Sequence, residues 1–141
     1  MSGSFEELVE TFEFLDDWED RYGEVISLGK AMPPLNESER NQTTKVDGCA
    51  SQVWLVPEVE GTGPNAIVSF RGESDAMIVK GLIAVLILRV SGRPAHEIAD
   101  LDIAAEMARL GLDKHLSAQR SNGLRAMIGR VQAIAAAAVK G

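Results

Sequence analysis

Cys49 is the only cysteine among 141 residues, and it lies in Val46-Asp47-Gly48-Cys49-Ala50-Ser51-Gln52-Val53-Trp54-Leu55-Val56. Small and polar residues surround the thiol, and an apolar, β-branched run follows it. Asp47-Gly48 is a turn signal: Asp bonds its own backbone, and Gly reaches conformations closed to other residues. The pattern places the sulfur in a tight loop that leads into a strand. A thiol on such a loop is accessible, and its thiolate is a strong nucleophile. The alternative is a small buried hydrophobe, a common use of free cysteine. A core cysteine would more often sit inside the apolar run, where Val53 and Leu55 stand. Local context alone leaves both readings open.

Other chemistry is thin. His96 and His115 are the only histidines. Each sits near the end of a predicted helix without carboxylate-rich spacing, so a surface or capping role is expected. A Cys-His hydrolase would need one of them beside Cys49 with an orienting acid, and the spacing gives no support for that. One cysteine makes neither an internal disulfide nor a cysteine-rich zinc or iron–sulfur site. Glycine-rich phosphate loops are absent.

The charge balance is 14 basic against 21 acidic residues, a net −7. That argues against nucleic acid or an anionic membrane as the main partner, because phosphate binding relies on clustered Lys and Arg. The acidic run from Glu6 to Asp20 reads as solvated faces of two amphipathic helices. The greasiest stretch, Leu82 to Leu88, is bounded by Lys80 and Arg89. It falls short of the roughly 20 residues a membrane span needs and reads as a buried core helix. The first residues lack the basic start of a signal peptide. The expectation is a cytoplasmic protein of one domain, residues 1–141.

These elements must position the thiol. Ser4 and Glu7 form a capping box, and Phe5, Leu8, Val9, Phe12 and Leu15 share one helical face. Trp18, Tyr22, Val25, Ile26 and Gly29 carry a second helix, ended by Pro33-Pro34. Residues 35–42 are polar loop, with one helical turn over Glu37–Arg40. Thr43–Val46, Gln52–Val59 and Ala66–Arg71 read as three strands of an antiparallel meander with Cys49 between the first two. Ser74 or Asp75 caps a helix running to about Val90. Ser91-Gly92-Arg93-Pro94 breaks it, and Pro94 opens a short helix to Ala99. Asp102 caps another through Arg109, closed by Gly111. Leu124, Met127, Ile128, Val131, Ile134, Ala135 and Ala138 form the stripe of a long last helix. The sum is an α+β domain with a small three-stranded antiparallel sheet packed against helices.

Three segments carry a family resemblance. Gly48-Cys49-Ala50-Ser51-Gln52-Val53-Trp54 resembles the cysteine signature of the SufE family, the sulfur acceptors of cysteine desulfurases. Gly72 to Ala84 and His115-Leu116-Ser117-Ala118-Gln119-Arg120-Ser121-Asn122-Gly123-Leu124 match in the same order. Weaker similarity runs through Trp18-Glu19-Asp20-Arg21-Tyr22 and Leu28 to Pro33, so nearly the whole chain is covered.

The resemblance implies a fold similar to that of the U-type iron–sulfur scaffold proteins. It also implies persulfide chemistry. A pyridoxal-phosphate desulfurase strips sulfur from free cysteine and holds it as a persulfide, and Cys49 takes that sulfur for delivery to an iron–sulfur scaffold complex. The chain itself then needs no cofactor. Gly48, Gln52, Asp75 and Arg120 fall on matched motifs and are expected to flank the thiol or the partner. Asp75 has a competing explanation as a helix cap, and Arg120 as a surface ion pair. The alternative function is an adaptor that activates a desulfurase without carrying sulfur on Cys49.

Overall fold

The computed structural model describes residues 4–141. Its helices begin with α1 (Phe5–Phe14) and α2 (Trp18–Lys30). Strands β1 (Val53–Glu60) and β2 (Ile67–Ser74) then form an antiparallel hairpin across a short 3₁₀ turn, Gly63–Asn65. The central helix α3 (Met77–Val90) is followed by β3 (Arg93–Pro94), α4 (Ala95–Asp100), α5 (Ile103–Ala108) and the long α6 (Ala118–Lys140). The sheet order is β1-β2-β3, antiparallel throughout.

The helix starts follow from capping chemistry. Ser4 Oγ accepts from the Glu7 amide at 3.0 Å while the Glu7 carboxylate accepts from the Ser4 amide at 3.1 Å, the reciprocal box expected from sequence. Asp17, Asp102 and Ser117 cap α2, α5 and α6 through their side chains. Each satisfies an amide that the helix itself leaves without a partner.

The core lies between one face of the sheet and the helices. Val53 and Leu55 of β1 and Val68 and Phe70 of β2 point inward at alternate positions and are buried. Helix α3 is apolar nearly all round, with Leu82, Ile83, Val85 and Leu86 buried, as a central helix must be. It meets α2 backbone to backbone. A Cβ on Gly81 would lie 2.4 Å from the Val25 carbonyl oxygen, and one on Gly29 would lie 2.6 Å from the Gly81 amide nitrogen. Only glycine permits that crossing.

The strand assignment needs two corrections. Thr43–Val46 is not a strand; it contributes one bridge, Lys45 to Trp54. Only the Val46 amide and the Thr44 carbonyl bond β1, to the Val53 carbonyl and the Leu55 amide. Elsewhere Asn41 Oδ1 accepts from the Thr43 and Thr44 amides, and Arg130 donates to the Lys45 and Thr43 carbonyls. The third strand is instead the helix breaker Arg93–Pro94, paired with Ile67 and Val68. The Gly92 amide donates to the Val68 carbonyl and the Ala95 amide to the Ala66 carbonyl, both at 2.8 Å, so Pro94 occupies an edge where its missing donor costs no pairing.

The start of α3 also differs. Neither Ser74 nor Asp75 is its cap; the N-cap is Ala76, without a side-chain bond to the helix. The Ser74 hydroxyl accepts from the Ala76 amide at 3.2 Å. Asp75 faces elsewhere, toward the cysteine loop.

Candidate functional site

The Cys49 loop is closed at its base. The Val46 amide donates to the Val53 carbonyl at 2.8 Å, so the residues between them turn back on themselves. Gly48 makes that turn with φ +93°, a conformation other residues rarely adopt. A Cβ there would stand 3.2 Å from Ala126 Cβ, which places the turn directly on α6. The other end of the loop is tied to the β2–α3 junction. Asp75 Oδ1 accepts from the Gln52 amide at 3.0 Å, and the Asp75 amide donates to the Gln52 carbonyl at 3.3 Å.

The sulfur points inward. Cys49 is half-buried, and its Sγ lies 3.6 Å from the Gly123 carbonyl oxygen, in the geometry of a weak S–H donor. Gly123 presents a bare patch of helix to the loop: a Cβ there would already touch Sγ at 3.6 Å. Beside the sulfur is a cavity of about 120 Å³. Ile78, Val79 and Leu82 of α3 form one wall, and Leu124 and Met127 of α6 another, with Gln119 and Arg120 also lining it. One water takes about 30 Å³ of liquid, so there is space for more than the thiol alone.

Burial pushes the Cys49 thiol above its ordinary range, and the negative charge of Asp47 adds to the rise. Both effects disfavour the thiolate. The free protein therefore holds Cys49 as a neutral thiol, which suits a sulfur facing a carbonyl oxygen and apolar walls.

The residues expected at the site converge on Cys49. Gly48 and Gln52 lie in its loop, Asp75 bonds the loop, and Arg120 lines the same cavity as the thiol. Arg120 is exposed, and its amide donates to the Ser117 cap at 3.2 Å. Among the described residues its guanidinium makes no ion pair. Neither histidine lines the cavity, so no Cys-His pair is assembled. Sequence reasoning missed Gly123 and the α3 wall. Ile78, Val79 and Leu82 read from sequence only as apolar helix positions, and no pattern separates a cavity wall from a filled core.

Among the described residues no helix is long and apolar enough to cross a membrane. The family model "SufE: Fe-S metabolism associated domain" matches residues 6–135. The chain belongs to the SufE family. Two curated SufE-like relatives support the same placement. An uncharacterized SufE-like protein of Rhizobium etli is 53% identical over 129 residues, covering 92% of this chain and 87% of the relative. One from Rhizobium meliloti is 47% identical, covering 92% of both. A similar fold appears in the solution structure of a hypothetical protein from Thermus thermophilus. That structure has a TM-score of 0.75 and 20% identity, with 97% of this chain and 96% of that chain covered, a likeness of fold alone.

Proposed function

We propose that this SufE-family chain is a sulfur carrier in iron–sulfur metabolism. Cys49 accepts sulfur from a cysteine desulfurase, stimulates that enzyme and passes the sulfur to an iron–sulfur scaffold complex. Residues 1–141 act as a single SufE-like domain in the cytoplasm. The observation that supports this best is the setting of Cys49: a lone thiol on a closed loop, beside a cavity with apolar walls from α3 and α6 and with Gln119 and Arg120 also lining it.

The chemistry balances without an added oxidant. The desulfurase holds a cysteine persulfide. The Cys49 thiolate attacks its terminal sulfur, a new S–S bond forms on Cys49, and the old S–S bond breaks with the enzyme's thiolate as leaving group. The pyridoxal phosphate that generates the persulfide belongs to the enzyme. Rate depends on thiolate fraction and access. Both are low in the tucked-in state, because the thiol is neutral and half-buried. Docking must therefore draw the loop outward, and the cavity shelters the persulfide once the loop returns. Thiol–disulfide chemistry on a single cysteine also stops at transfer, since no resolving thiol is present to cyclise.

The test is direct. Incubation with a desulfurase and free cysteine adds one sulfur to the peptide containing Cys49, read by mass spectrometry, and nothing to Cys49→Ser. Stimulation that survives in Cys49→Ser, with no sulfur on the wild-type peptide, establishes the adaptor alternative instead.

A further inference from the structure

Two residues from matched segments, Trp18 and His115, lie outside the thiol cavity and meet in space. Trp18 opens α2, and His115 stands just before Ser117, the cap of α6. The His115 imidazole stacks on the Trp18 indole with centroids 4.1 Å apart and an interplanar angle of 18°. The Tyr22 hydroxyl donates to the His115 carbonyl. Phe12 meets Trp18 edge-on at 6.2 Å, and the Arg21 guanidinium carbon lies 5.1 Å from the Trp18 ring centre. Arg21 is itself fixed, its Nε donating to the Leu15 carbonyl at 2.9 Å. The connector from α5 hugs the indole closely. Gly111 has φ +75°, and a Cβ on it would lie 2.8 Å from Trp18 Cζ2.

None of these groups lines the Cys49 cavity. What they hold is the start of α6. A helix start is retained by its cap and by the contacts of the residues just before it, because its first amides have no helical partner. Here Ser117 supplies the cap and His115 the contact before it. The first turn that follows carries Gln119 and Arg120 to the cavity, and the next carries Gly123 to the sulfur. His115 is itself exposed, so its ring does not serve core burial.

We propose that His115 is a positioning residue for the thiol site: its stack on Trp18 fixes the start of α6, and with it Gln119 and Arg120, against the Cys49 loop. The proposal rests on the reading of Cys49 as the working thiol, and its main test is independent of any desulfurase. Removing the ring lets the first turn of α6 move, which opens the cavity and exposes the sulfur.

The experiment is alkylation of Cys49 by iodoacetamide, a neutral reagent, at fixed pH. His115→Ala is expected to raise the rate about three- to tenfold, the range set by loss of one aromatic contact. His115→Phe keeps a stacking ring and is expected to stay within about twofold of wild type. In an Arg120→Ala background, where the first turn no longer covers the cavity, His115→Ala is expected to add less than about twofold, since effects acting through one element are not additive. Ile98→Val, a buried α4 substitution, controls for general destabilisation and is expected to leave the rate unchanged. The proposal is overturned if His115→Ala alkylates at the wild-type rate, if His115→Phe behaves like His115→Ala, if the effects of His115→Ala and Arg120→Ala multiply in full, or if Ile98→Val raises the rate as much as His115→Ala. Absence of persulfide on the wild-type protein would overturn the carrier reading and leave these rates to decide the positioning role.

Discussion

Asp75 and Gln52 are joined twice, carboxylate to amide at 3.0 Å and amide to carbonyl at 3.3 Å, although 23 residues separate them. The pair binds the downstream end of the Cys49 loop to the junction between β2 and α3. A residue placed to cap a helix gives its carboxylate to the cysteine loop instead, and α3 begins at Ala76 with no side-chain cap.

Loss of the carboxylate should therefore free the loop more than it weakens the helix. In Asp75→Ala the Gln52 amide loses a charge-assisted partner, a change of about 1 kcal/mol for an exposed bond. The expected outcome is a several-fold faster alkylation of Cys49 with circular dichroism unchanged. Asp75→Asn, whose side-chain oxygen still accepts, should fall between. Helix loss in place of faster alkylation would return Asp75 to a capping role.

The acidity of Cys49 supplies a second prediction. Burial is the larger cause of its raised pKa and Asp47 the smaller. Asp47→Asn should shift the pH midpoint of alkylation downward while leaving it above that of the unfolded chain. Stability follows the same linkage. The folded state holds its proton at pH values where the unfolded thiol has lost it. The contribution of the thiol is then fully present below the unfolded pKa and is lost as pH rises through the folded one. Denaturant midpoints measured at neutral pH and at a pH above the folded thiol's pKa should differ more for wild type than for Cys49→Ser. Equal differences would remove the thiol from the linkage.

Arg120→Ala tests the rim of the cavity. The Ser117 cap bonds the Arg120 backbone amide, not its side chain, so the helix start survives the substitution. The guanidinium has no ion pair among the described residues and is free to meet a partner. A buried interfacial arginine commonly contributes about 2 kcal/mol to binding. The half-saturating concentration for desulfurase stimulation should then rise about thirtyfold, with the fold intact. A titration that superimposes on wild type would take Arg120 out of the docking surface.

The helices are legible in the sequence because periodicity and caps are local. The Ser4–Glu7 box and the stripes of α1 and α6 are written in adjacent turns, and the structure places them there. The loop position of Cys49 is legible for the same reason, since Asp47-Gly48 announces the turn. The third strand is not. Arg93-Pro94 has no strand character of its own and pairs only because the Ala66–Val68 backbone lies beside it. Thr43–Val46 has strand character, yet its pairing with β1 stops after one bridge, because the Thr44 amide donates to Asn41 Oδ1 and not to β1. The role of Asp75 is hidden as the third strand is: its nearest helix is local, and its true partner is not.

The crossing of α2 and α3 gives the sharpest test of the fold, because two glycines in one helix should respond in opposite directions. Gly81 and Gly29 meet with backbone atoms too close for a side chain, and a Cβ on Gly81 would stand 2.4 Å from the Val25 carbonyl oxygen. That obstacle is backbone and cannot rotate aside, so Gly81→Ala must separate the helices. Overpacking of this kind costs about 1–3 kcal/mol. Gly29→Ala meets the Gly81 backbone at 2.6 Å and should behave the same way. Gly23 lies on the same helix as Gly29, exposed, with nothing within 4 Å of an added Cβ. There Ala only removes the entropic penalty of glycine in a helix and should stabilise by roughly 0.5–1 kcal/mol. Urea midpoints measure both. Since α3 also walls the Cys49 cavity through Ile78, Val79 and Leu82, Gly81→Ala should speed Cys49 alkylation while Gly23→Ala does not. A Gly81→Ala protein as stable as Gly23→Ala would mean that α2 and α3 do not cross at this point.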